Sequence, residues 1–242
     1  MITPKYMHML RVELLAMSRL SQRALDDSIK GYELQNLDFS RHALSERPGV
    51  LEKHQRRMKE LCRELMNGGI AKASDSRFIF AALNLGTALP AMYEAAGGIA
   101  FETTRLLGSG SMQPCQALVD RAQLVNRSMR LCAVALFEED ACHAETALQY
   151  LESSDLREVS TVDAGDDFER AVSRSLGEIA KQIHEMADSI VFWLKGNSRI
   201  AASTEDRHNA VALFSARQQE NPALPYMQSK TSGSKGTRAL CC

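Results

Sequence analysis

The sequence predicts an all-α protein, two tandem three-helix bundles with the second shortened. Three observations carry this. The segment DDFERAVSRSLGEIAKQIHEMADSIV has clean helical periodicity, with Leu176, Ile179, Ala180, Ile183, Ala187, Ile190, Val191 and Leu194 on one stripe. It also reads like DSRFIFAALNLGTALPAMYEAAGGIA, Asp75 to Ala100, which lies 91 positions earlier and pairs Leu85 with Leu176, Gly86 with Gly177 and Glu94 with Glu185. Finally, MSRLSQRALDDSIKGYELQNLDFSRHAL resembles RAQLVNRSMRLCAVALFEEDACHAETAL at an offset of 104, pairing Leu20 with Leu124 and Ala43 with Ala147. The two offsets differ by 13, so the second copy is shorter between its middle and last helices.

The elements follow in order. A first helix is expected over Tyr6 to Lys30, with Met7, Leu10, Leu14, Met17 and Ala24 on one face. A second spans Asp38 to Met66 and should kink or break at Pro48-Gly49, because proline lacks a backbone donor and clashes with the preceding turn. Asn67-Gly68-Gly69 ends it. A third starts at Ser74 or Asp75, both good N-caps, and runs to Leu107. GSGSMQP, Gly108 to Pro114, links the units. Helices are then expected over Cys115–Glu138, Asp140–Leu151 and Asp166–Lys195. The domain boundaries are residues 1–108, 112–196 and a C-terminal extension, 197–242. Within the extension Ser203 to Gln219 could form one amphipathic helix around Val211, Ala212 and Phe214, and Asn221 to Cys242 reads as disordered.

Composition narrows the function classes. A formal net charge of −1 provides no global basic field for nucleic acid, so a nucleic-acid partner is not expected. Phe78 to Tyr93 is free of charge but only 16 residues long and includes Asn84, Thr87 and Pro90, whereas a membrane span needs about 20 apolar residues. A buried helix is the better reading, with contact at the membrane periphery at most. Six cysteines lack disulfide-framework spacing, and MITPKYMHMLRVELL breaks into charges too early for a secretory leader. Reduced thiols in the cytoplasm are expected.

Catalytic motifs are absent. There is no phosphate-cradling glycine loop, HExxH or nucleophile elbow, and GGIAKAS lacks the context of one. Cys132, Cys142 and His143 are not spaced as a zinc knuckle, so plain core or surface roles are expected. His54, beside Arg56 and Arg57, belongs to a solvated face on this reading, as do the i, i+4 pairs Lys181–Glu185 and His184–Asp188. Cys241-Cys242 reads as an exposed terminus rather than a prenylation site.

Over residues 6–196 the pattern resembles the PhoU family of phosphate-uptake regulators, whose third helices carry a stretch like D-L-R-x-I-x-A-A-L followed by E-R-I-G-D-H-A. DSRFIFAAL, Asp75 to Leu83, matches the opening. PAMYEAAGGIA, Pro90 to Ala100, and KQIHEMADSIVFW, Lys181 to Trp193, occupy the second position. The resemblance implies a non-enzymatic adaptor, able to form a homodimer, between a phosphate ABC transporter and a sensor histidine kinase. It also implies iron or zinc, held in some members by acids at i and i+4. Here Pro90 and Lys181 replace the first acid, leaving Glu94 and Glu185 as weak candidate ligands and no expected cofactor. Asp75, Arg77, Glu94, Lys181 and Glu185 are the expected partner surface. A metal-binding protein of the same fold, or a helical scaffold unrelated to phosphate, would share the pattern.

Overall fold

The computed structural model describes residues 3–45, 48–68, 72–110, 113–153 and 167–196. They form α1 (Thr3–Glu33), α2 (Leu37–Ser45), α3 (Pro48–Asn67), α4 (Ala73–Ser109), α5 (Gln116–Glu138), α6 (Ala141–Ser153) and α7 (Asp167–Lys195). The all-α class is that read from the sequence. The break expected at Pro48-Gly49 separates α2 from α3. The cap expected at Ser74 or Asp75 is not the one used: α4 begins at Ala73 behind an extended Lys72 that makes no side-chain cap. Asp75 instead sits in the first turn, where a carboxylate complements the helix dipole. The predictions for Ser203 to Gln219 and Asn221 to Cys242 lie outside the described residues.

Amphipathic periodicity builds the core. Leu10, Leu14, Met17, Ala24 and Leu25 of α1 are buried, with Met7 packed at the edge. From α7, Leu176, Ile179, Ile183, Ala187, Ile190 and Val191 are buried. Burying one such aliphatic side chain is worth about 1.5–3 kcal/mol, so these stripes dominate the stability of the helix bundle. The broadest contact in the molecule is between α4 and α7, and α4 also packs on α1, α2 and α3. α5 and α6 close over α7, while α5 meets α1. The described residues all fall in one compact unit.

Close approach has a sequence cause at two positions. A Cβ on Gly31 would lie 2.2 Å from Ser40 Oγ and 3.0 Å from its backbone nitrogen, so α1 and α2 meet only because residue 31 lacks a side chain. On Gly86 it would lie 1.8 Å from Met58 Cε, which seats α3 against α4.

Two expectations need correction. His54 is not part of a solvated face: its Nδ1 lies 2.6 Å from Glu13 Oε2 and both side chains are largely covered, tying α3 to α1. Asp188 is buried rather than solvated, whereas Lys181 and Glu185 are exposed as expected. The α7 stripe is wider than an i, i+4 charge pattern suggests, because α4 and α6 both cover that helix.

Candidate functional site on the outer face of α4 and α7

α4 and α7 run antiparallel in a register fixed by named pairs. Arg77 Nε donates to the Trp193 carbonyl at 3.1 Å, and the Phe78 and Trp193 rings meet at 4.6 Å. Phe80 packs edge-on against Phe192 at 5.8 Å. Asn84 Nδ2 donates to Ser189 Oγ at 3.1 Å, and Ser189 in turn donates to the Glu185 carbonyl. Further along, Gly98 faces Ser175. Residues facing one another across this pair thus keep a nearly constant sum of positions, as antiparallel helices require.

The outward line of α4 carries Phe80, Asn84, Thr87, Glu94, Phe101 and Arg105, all exposed. These positions recur at three-, four- and seven-residue steps, so they form one stripe opposite the core. On α7 the neighbouring exposed positions are Arg174, Glu178, Lys181 and Glu185. The result is a broad two-helix face with aromatic ends and mixed charge between them.

The expected partner residues divide. Glu94, Lys181 and Glu185 all lie on this face and are exposed. Asp75 is half-buried in the first turn of α4. Arg77 is half-buried and closes the end of α7: besides its bond to Trp193, its guanidinium lies 3.7–3.8 Å from where a Gly196 Cβ would stand. Gly196 adopts a positive φ of 76°, and its N–H returns to the Phe192 carbonyl, a helix-ending geometry that suits glycine.

Sequence reading missed the polar and aromatic joint at this end of the bundle. Arg11 of α1 lies over the Phe78 ring, 5.2 Å from its centroid, and over Trp193 at 5.8 Å. It also pairs with Glu139 beyond α5. The only available signal was an arginine beside an apolar stripe.

Glu94 and Glu185 do not fit a metal centre. Each lacks a carboxylate one turn before it, since Pro90 and Lys181 stand there. The antiparallel register places Glu185 about six residues, roughly 9 Å, from the point opposite Glu94. Among the described residues no group of three or more His, Cys, Asp or Glu side chains is arranged to hold an ion. Cys132 is buried in the core, whereas Cys142 is exposed at the start of α6. There the Cys142 N–H donates to Asp140 at 2.9 Å, holding that carboxyl below its usual range, and the same carboxylate pushes the Cys142 thiol up. The α4–α7 face therefore presents exposed rings, charges of both signs and a rigid helical backing.

This arrangement of helices is the fold of the PhoU class of proteins. PhoU from Pseudomonas aeruginosa superposes with a TM-score of 0.71 at 20% identity, over 80% of this chain and 99% of that one. The phosphate transport system regulatory protein PhoU from Streptococcus pneumoniae gives 0.67 at 16% identity, over 81% and 98%. At these identities the likeness is one of fold. No protein-family model and no curated protein matches the sequence.

Proposed function

We propose that the protein is a non-enzymatic regulator of phosphate uptake, acting in the cytoplasm as an adaptor between a phosphate ABC transporter and a sensor histidine kinase, and able to form a homodimer. One observation carries this reading: the fold likeness runs through 99% of the Pseudomonas aeruginosa PhoU chain rather than through a generic helical hairpin. Among the described residues no helix is long and apolar enough to cross a membrane, which accords with an adaptor that meets the transporter from one side.

The mechanism is differential binding. A helical surface that fits one conformation of its partners better than another shifts their equilibrium by that difference in affinity, with no covalent step. The α4–α7 face supplies such a surface through Phe80, Glu94, Phe101, Lys181 and Glu185. The test is deletion of the gene in its host during growth in abundant phosphate. Transcription of phosphate-starvation genes is expected to rise. Normal repression, with pull-downs that recover neither transporter nor kinase, would overturn the proposal.

A further inference from the structure

A second face, on the far side of the bundle from α4–α7, has a different character. On α1 the positions Val12, Arg19, Asp26 and Lys30 follow one another at seven-, seven- and four-residue steps, so they form one stripe. On α5 the positions Gln123, Arg130 and Phe137 do the same at seven-residue steps. The two stripes are adjacent and antiparallel. Arg130 donates to both oxygens of Asp26, at 2.9 and 3.2 Å, Gln123 donates to Glu33 at 3.1 Å, and Arg11 pairs with Glu139. The opposite side of α1 is turned to α4, where Ser21 and Ser28 donate to the carbonyls of Leu89 and Ala96.

Charge is segregated on this face despite a formal net charge of only −1 for the chain. Its carboxylates are engaged: Asp26 by Arg130 and Asn126, Glu33 by Gln123, the exposed Asp120 by Gln116, and Asp27 by His42. The cations outnumber them. Arg19, Arg23 and Lys30 are exposed along α1, Arg130 keeps 56% of its side chain exposed while paired, and Arg127 lies beside it over the Tyr150 ring. Large apolar side chains flank the cations, with Leu34 60% exposed at one end and Val12 (50%) and Phe137 (68%) at the other.

We infer that the α1–α5 face docks on an anionic phospholipid surface. The layout favours lipid over an acidic protein. Protein interfaces place apolar side chains at the centre and charges at the rim. Here the cations lie at the centre and the apolar residues at the ends, so Arg19, Lys30 and Arg130 can meet phosphate headgroups while Val12, Leu34 and Phe137 enter the acyl boundary. This inference stands on the charge layout and is independent of the phosphate reading.

The experiment is sedimentation of the full chain with vesicles of phosphatidylcholine alone, or with about a third phosphatidylglycerol. Binding to the anionic vesicles only is expected, and salt of about 0.5 M should release the protein, because exposed charges are screened there. Each cation removed near the surface should weaken binding roughly fivefold, so R19E/K30E should lose more than about tenfold. F137S should also weaken binding, whereas E94K/E185K, on the far side, should not. Circular dichroism checks folding, and R19Q/K30Q replaces the double reversal if that variant misfolds. Residues 197–242 also carry cations, so the variants decide the matter. Failure to bind, equal binding to both vesicles, or wild-type binding by R19E/K30E would overturn the inference. Retention on polyglutamate without vesicle binding would assign the face to an acidic protein and equally overturn it.

Discussion

Gln55 Nε2 donates at 2.8 Å to the carbonyl of Gly86, the group that Pro90 leaves without a backbone partner inside α4. In a continuous helix that carbonyl would accept the N–H of residue 90, and proline has none. α3 thus repairs α4 from the side, and proline is accommodated in the middle of a 37-residue helix. Gln55→Ala should cost about 1 kcal/mol in the native background, the usual worth of such a bond. With Pro90→Ala the missing N–H returns, and the loss from Gln55→Ala should shrink towards zero. Denaturant unfolding of the four proteins measures this coupling. Equal losses in both backgrounds would show that Gln55 does not serve the proline gap.

Glycine substitutions should separate packing from helix propensity. At Gly31 a methyl group meets the backbone of Ser40, which cannot rotate away, so Gly31→Ala should destabilise by about 2 kcal/mol. At Gly97 a methyl meets nothing within 4 Å, and Gly97→Ala should be neutral or stabilising by up to about 1 kcal/mol. Melting temperatures of the two variants should move in opposite directions or differ clearly; a matching shift would contradict the packing argument.

Helix positions were legible because a 3.6-residue apolar period must be buried on one face, and α1, α5 and α7 each carry one over several turns. Partner choice among polar residues was not legible. Asp188 and His54 read as solvated because helical spacing reports a direction around one axis, not which neighbours cover it. Arg77 read as surface for the same reason: the group it serves, the Trp193 carbonyl, lies 116 positions away. Glu94, Lys181 and Glu185 were placed on the surface correctly, since each lies opposite a dense apolar stripe.

The thiols should divide sharply. Burial pushes Cys62 and Cys132 up to about 12, so both remain protonated and covered at pH 8. Iodoacetamide should reach the exposed Cys142 well before Cys62 and Cys132, although the neighbouring Asp140 slows it by holding the thiol up, and should modify the two buried thiols only on unfolding, as peptide mapping by mass would show. The linkage has a definite sign. With native-state values above the unfolded one, the folded chain holds more protons between about pH 9 and 12, so stability is intact below pH 9 and falls as pH rises through that window. Alkaline stability that stayed flat, or early modification of Cys132, would contradict the burial.

Metal content follows from the donor set. The purified protein should carry no stoichiometric iron or zinc at Glu94 and Glu185, because a single exposed carboxylate at each position, with Lys181 beside Glu185, gives a cation too few charged oxygens. Elemental analysis decides this. Two or more ions per chain that disappear in E94Q/E185Q would show that other donors complete the sites.

Charge reversal on the α4–α7 face should separate signalling from folding. Glu94 and Glu185 are exposed, and substitutions at such positions usually change stability by less than about 0.5 kcal/mol. If this face recognises the partners, E94K and E185K should raise phosphate-starvation transcription in abundant phosphate while leaving the melting curve in place. Arg77→Ala provides the contrast. It removes a charged donor from the Trp193 carbonyl and loosens the end of α7, so it should lower stability by about 1.5–3 kcal/mol. Its effect on repression should then track the loss of folded protein, which immunoblotting of the same cultures would report. Full repression in E94K/E185K, with both proteins folded and abundant, would move the recognition surface away from α4 and α7.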